Sequence, residues 1–407
     1  DVNTVRIIPR VPAAGYVAGQ VIDDGIIHQS GIATGNLRIE IIDPMKIEDQ
    51  DTFKVTFQES PTRFSIEDLK LIDDQFIANV DKFISLSHKN INDSTFYLTD
   101  TAEVNIYNRD IDYELDTEFG RIKALANGDL EDGTPYLAKY TYLPIFESQL
   151  LDNEEANPVF DGMKIFVEDQ PLEIDNSKTE WNTLSPTNYT AVVGVYSQGG
   201  NAYPADYEVR FSSSIVDTGA FAGILTPFEI YKTTMGMIPE KQRFAIIKKP
   251  PNESNDTWDT HDEIVLFEGE GFGSPTWMIK FLKPSEGTAI PPGDGDIYNV
   301  ATTRPFYVED VFTFVTTASR INEELGRSDL DRISVVPNPY VVMNVLEQLD
   351  RQNPRDRGPR RVYFNHLPAE CIIRIYTMSG ELVNTLTHQS TIDDGKEYWD
   401  LTTNDNS

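Results

Sequence analysis

The sequence has very little cysteine: Cys371 stands alone in 407 residues. A single thiol excludes any disulfide within the chain and any zinc cluster built on cysteines. It lies in the strand-like run Cys371-Ile372-Ile373-Arg374-Ile375, which predicts a buried, inert side chain. Histidine is scarce as well. His28, His88, His261, His366 and His388 are scattered, with no pair four apart and no His-Glu-x-x-His, so zinc hydrolysis has no ligand set. No apolar run approaches the ~18 residues of a membrane-crossing helix, so the chain is read as not membrane-spanning. Basic residues are outnumbered: Lys+Arg 34 against Asp+Glu 66 leave a net charge of −32. Such a surface repels nucleic acid, whose binding requires clustered cations. It suits solubility in salt, divalent-cation uptake or a basic partner. No Gly-x-Ser-x-Gly elbow occurs, and carboxylates are too many for a glycosidase pair to be singled out.

What the sequence does have is alternation. Leu37, Ile39 and Ile41 alternate with polar neighbours, as do Phe53, Val55 and Phe57. The same period recurs at Tyr189/Ala191/Val193/Val195, Tyr207/Val209/Phe211, Trp277/Ile279/Phe281 and Phe312/Phe314. A two-residue period marks half-buried strands. Helical spacing is confined to residues 66–72 and 319–332, each predicted as short helical turns. Many short strands broken by Gly, Pro, Asn and Asp predict an all-β chain of tandem antiparallel β-sandwiches. Ordinary hydrophobic content, 39%, and this length predict several domains. The boundaries read as 1–175 for an N-terminal sandwich region, 176–325 for a central sandwich and 333–407 for a C-terminal module, with the polar stretch 322–331 as linker. The opening Asp1-Val2-Asn3 without Met suggests a processed or partial chain with any signal peptide gone.

The last module carries a family resemblance. Its segments are Val336-Pro337-Asn338-Pro339-Tyr340, Phe364-Asn365-His366-Leu367-Pro368, the run Ile373-Arg374-Ile375-Tyr376-Thr377-Met378-Ser379-Gly380-Glu381-Leu382-Val383, and Trp399-Asp400-Leu401. Ser379-Gly380 between alternating runs is a tight-hairpin signal. In this order the segments resemble the Ig-like C-terminal domain of large secreted Bacteroidetes-type proteins, similar to the Ig-like part of the flagellar hook-capping protein. The resemblance implies an Ig-like fold, type IX secretion with this domain as the export and attachment signal, and an extracellular or cell-surface location. Upstream, Val11-Pro12-Ala13-Ala14-Gly15-Tyr16, Ile41-Ile42-Asp43-Pro44, Pro158-Val159-Phe160-Asp161-Gly162 and Tyr203-Pro204-Ala205-Asp206-Tyr207 are similar to the region that often precedes such domains. Family members continue past Trp-Asp-Leu into a final strand of the type Gly-Ile/Val-Tyr-Phe-Tyr, whereas here the sequence reads Asn404-Asp405-Asn406-Ser407. Either the chain is processed or partial, or a strand from elsewhere fills an open edge by augmentation.

Candidate ligands are few. Asn252, Ser254, Asp256 and Glu263 fall at positions 1, 3, 5 and 12 of a calcium-loop register, with the Trp258 carbonyl at position 7. Thr257 stands where that loop needs Gly, and a plain acidic hairpin loop competes with calcium as the reading. Asp294-Gly295-Asp296 and Asp129/Glu131/Asp132 read as turns. Gly269-Glu270-Gly271-Phe272-Gly273 lacks the following helix and Lys of a phosphate loop and reads as a hairpin tip. Tyr196, Tyr203, Tyr207, Trp258 and Trp277 suit either a sugar-stacking face or a core. No cofactor is expected, calcium apart. The sequence thus predicts a non-enzymatic extracellular structural protein of a filament, surface layer or surface-attached complex. Its partners are other protein subunits, joined by β-strand augmentation at the C-terminal domain. The alternative is a glycan- or calcium-binding adhesion module of a larger secreted protein.

Overall fold

The computed structural model describes residues 11–22, 25–58, 62–80, 82–234, 238–249, 255–269, 273–339 and 361–403. The chain is all-β, its strands paired almost wholly antiparallel. The first unit is organised by an eight-stranded sheet in which Thr52–Gln58, Arg63–Ile77, Pro135–Ser148, Tyr97–Asp100 and Ile106–Tyr107 lie side by side. Two of these strands, Arg63–Ile77 and Pro135–Ser148, are long enough to serve two cores. Over their Phe64/Ile66 and Ile145 ends lies the two-stranded sheet Asn36–Ile41/Met163–Glu168, which closes a core with Phe53, Phe57, Ile165 and Phe314. Over their Phe76 and Tyr136/Ala138/Tyr140 ends lies the three-stranded sheet Tyr113–Asp116/Arg121–Ala124/Ile84–Ser85, closing a second core with Leu98 and Ile122. The register slips at Tyr140/Tyr142, Tyr142/Ile145 and Ile145/Ser148. Such bulges bend the ladder and re-aim its side chains between the two cores.

The second unit is a sandwich of two four-stranded sheets. One runs Thr190–Val195, Ser274–Leu282, Glu263–Glu268, Phe244–Ile247, and the other Glu240–Lys241, Phe228–Lys232, Tyr207–Phe211, Ile297–Val300. Trp277, Tyr207, Phe228 and Phe281 fill the space between them. Its ends meet where Glu173–Ile174 pairs with Thr302–Thr303.

The next strand, Val311–Thr317, pairs with Thr52–Gln58 and with Gln20–Val21 and Ile27–Ser30. The central sandwich is therefore an insertion in the first unit's sheet. Residues near 311–317, expected within 176–325, belong to the first unit instead. Arg304 holds the junction, with Nη1 2.7 Å from Asp206 Oδ1 in the insert and Nε donating to the Ile32 carbonyl at 2.6 Å.

Residues 66–72, expected as helical turns, are interior to the strand Arg63–Ile77. Pairing on both sides, with Thr52–Gln58 and Pro135–Ser148, overrides the local spacing. A short helix does form at Glu323–Asp329, capped by the Asn322 side chain, which accepts from the Glu324 and Leu325 amides. Beyond it, Ser334–Val336, Val362–Asn365 and Glu397–Trp399 form a three-stranded sheet, and Glu370–Tyr376 pairs with Leu382–Gln389 as a hairpin. The hairpin turns at Gly380, φ +88°, whose amide donates to the Thr377 carbonyl. Left-handed φ is where glycine is needed. Cys371 on this hairpin is half-buried and free, rather than fully enclosed.

Candidate functional site

Three places combine unusual chemistry with defined geometry. The first is the acidic loop before Glu263–Glu268. Asn252 and Ser254 lie outside the described residues. Asp256 is exposed, and Glu263 stands 3.4 Å from Lys249 Nζ and 3.7 Å from Lys280 Nζ. The carboxylate drawn inward is Asp262, 0% exposed. It accepts from the backbone amides of Lys249 and Asp259, each at 2.9 Å, and from Lys248 Nζ at 2.8 Å. The same ammonium donates to Asp259 Oδ2 at 3.3 Å and to the Thr257 carbonyl at 2.9 Å. Burial works against the charge on Lys248, but its bonds to Asp262 and Asp259 outweigh that and raise its pKa. The cation at this loop is thus supplied by the chain itself. Among the described residues no group of three or more His, Cys, Asp or Glu gathers as a metal-binding set.

The second place is a group of carboxyls under the long strands of the first unit. Asp51 is 7% exposed and Asp68 4%, and their side chains are hydrogen-bonded to each other. Asp51 precedes the strand Thr52–Gln58 and accepts from the Thr52 amide at 3.0 Å. Asp68 accepts from the Lys70 amide at 2.8 Å. Burial pushes the Asp68 carboxyl up to about 7, helped by the charges of Asp51 and Asp161, and burial likewise raises Asp51. The bond between them raises Asp68 and lowers Asp51, so Asp68 holds the proton and Asp51 accepts it. Nearby, Tyr142 donates to Asp161 at 3.4 Å and packs at a tilt against the His88 ring, centroids 4.0 Å apart, and burial holds His88 neutral to lower pH. Tyr140 donates to Asp74 at 2.7 Å. Lys70 and Glu48, themselves paired, rim a recess of about 470 Å³ above the pair, lined also by Asp49, Gln50, Thr52 and Leu69. Chemically this is one proton shared by two acids. It is too tight for glycoside hydrolysis, which needs its carboxyls about 5 Å or more apart.

The sugar-stacking candidates divide. Tyr207, Trp258 and Trp277 belong to the core of the insert, while Tyr196 and Tyr203 are half-buried. Those three rings therefore pack the sandwich rather than its surface.

The third place is the C-terminal module. Its hairpin strands Glu370–Tyr376 and Leu382–Gln389 pair only with each other among the described residues. Cys371, Ile373 and Ile375 turn inward, whereas Ile372, 62% exposed, and Tyr376, 53%, face outward with Leu382 at 49%. His388, 2% exposed, ties the hairpin to the neighbouring sheet through Nδ1 3.1 Å from Glu397 Oε2. The final-strand gap expected from sequence falls at residues 404–407, outside the described residues. Sequence reasoning missed the buried acids, because nothing local separates Asp51, Asp68 and Asp161 from the chain's many other carboxylates. Compared with protein-family models, curated proteins and solved structures, the chain matches none.

Proposed function

We propose that this chain is a non-enzymatic, extracellular subunit of a cell-surface assembly, a filament, surface layer or surface-attached complex, exported through its Ig-like C-terminal module. The observation that carries the reading is the open hairpin of that module. Two strands of 7 and 8 residues pair with each other alone among the described residues and present Ile372, Tyr376 and Leu382 to solvent. Unpaired strand edges with apolar side chains are templates for another strand. An acidic surface keeps such subunits soluble until they meet that strand. No helix among the described residues is long and apolar enough to cross a membrane, which fits attachment through the module.

Size-exclusion chromatography and electron microscopy, from micromolar protein up to about 1 mM, test the reading. Ordered assemblies or cell binding are expected. A strictly monomeric chain that also fails to bind cells overturns it.

A further inference from the structure

The C-terminal module is held to the rest of the chain by a segment from the opposite end of the sequence. Residues 11–17 run through a slot whose walls are the helix Glu323–Asp329, the strand Arg320–Ile321 and two loops of the module. Gly395 N donates to the Val11 carbonyl at 2.5 Å, Ala13 N to the Ile392 carbonyl at 3.1 Å and Ala14 N to the Leu367 carbonyl at 3.0 Å. Gly15 N donates to Asp329 Oδ2 at 3.1 Å, and its carbonyl accepts from Asn322 N at 2.8 Å. Tyr16 and Val17 then pair with Ile321 and Arg320. Ala13 and Ala14 are 3% and 5% exposed, so the segment is enclosed, yet its buried side chains are among the smallest available. The slot is cut to backbone dimensions. A Cβ on Gly395 would lie 2.7 Å from the Pro12 carbonyl and 2.8 Å from Ala13 Cα, and one on Gly15 only 2.5 Å from the Asn322 carbonyl.

We propose that residues 11–17 are an exchangeable latch: the slot they fill in their own copy also receives the same segment of a second copy, which links copies head to tail. The inference rests on the assembly reading above and adds to the open hairpin edge a second contact, with another copy of this chain. The backbone partners of residues 11–17 outside the segment come from residues 320–395, with the Tyr16 hydroxyl reaching Ser319 and Met45 besides, so one copy offers a latch and most of its slot from segments far apart in its sequence. Exchange remakes identical hydrogen bonds, and swapping an identical element is a low-cost route to association. Recognition through backbone bonds and alanines needs no further complementarity. A contact of this kind is heterologous, and where its rotation does not close it propagates as a filament. The closed form competes through a millimolar effective concentration. Exchange therefore prevails where copies are crowded, as on a surface.

A cysteine pair decides between closed and exchanged latches. Ala13→Cys with Ile392→Cys, in a Cys371→Ser background, places thiols on residues whose backbones are hydrogen-bonded, within disulfide reach. Oxidised when dilute, the protein should lock as single chains and assemble less readily than the unaltered protein. Assembled first at about 1 mM and then oxidised, it should give a ladder of covalent oligomers on a non-reducing gel. Single-chain bands alone from the assembled sample, or locked chains that assemble as readily as the unaltered protein, overturn the latch while leaving the assembly reading standing. No assembly and no cell binding by the unaltered protein overturns both. Should the cysteine variant fail to fold, a synthetic peptide of residues 11–21, in large excess over unaltered protein, gives the answer. It should shorten the assemblies, and an unchanged size distribution overturns the latch.

Discussion

Asp262 in the inserted sandwich and Asp68 in the first unit are both buried carboxyls, 0% and 4% exposed, and they meet burial by opposite means. Asp262 is met by donors: Lys248 stands 2.8 Å away and two backbone amides donate to it. Asp68 has the Lys70 amide and another acid, Asp51, so it keeps a proton up to about pH 7. Desolvation acts on both. Whether an acid ionises inside a protein is decided by which donors reach it, and those donors come from strand ends that the fold brings together.

Four changes test that contrast, the largest first. Asp262→Ala leaves the Lys248 ammonium with Asp259 and the Thr257 carbonyl and takes the acceptor from two part-buried amides. It should cost about 3 kcal/mol in urea unfolding, and a loss below about 1 kcal/mol would mean that the lysine simply moves to solvent. Lys248→Met removes the ammonium but leaves both amides on Asp262, so the loss should be smaller, about 2 kcal/mol.

Asp68 should carry a pH dependence of its own. Its folded pKa lies above the ordinary carboxylate value, so its contribution is whole below about pH 4 and is lost as pH rises through about 7. Asp68→Asn keeps an oxygen for the Lys70 amide and a donor for Asp51 without the titration. Relative to the unaltered protein it should gain on the order of 1–3 kcal/mol in going from pH 5 to pH 8. Parallel pH profiles for the two proteins would show that the pair shares no proton. The smallest effect belongs to Lys70→Ala at the rim. Lys70 and its partner Glu48 are about half exposed, so the pair is worth less than about 0.5 kcal/mol by thermal unfolding. A larger loss would show Lys70 acting on the buried acids below.

The acidic loop shows how a one-residue step separates two acidic side chains. Sequence spacing pointed to Glu263 as a ligand, yet the strand register that pairs Ile247 with Glu263 leaves Asp262 just outside the ladder and turned inward toward Lys248. Alternation decides which face a residue takes, and a one-residue offset exchanges inside for outside. The acids Asp51, Asp68 and Asp161 left no local mark at all, since they meet only after distant segments pair. The same holds for residues 66–72, whose helix-like spacing lost to ladders on both flanks.

By itself the sequence determined the all-β class, many strand positions, the Ser379-Gly380 hairpin and the exclusion of a disulfide within the chain or a zinc cluster of cysteines. Each of these is a local matter of side-chain period, turn residues or composition. Only the tertiary structure decided that Val311–Thr317 returns to the first sheet around an inserted sandwich, that residues 11–17 close onto the C-terminal module, and which buried acids carry a proton. Those depend on which segments far apart in the chain come into contact, and a side chain's own neighbours in sequence carry no record of that choice.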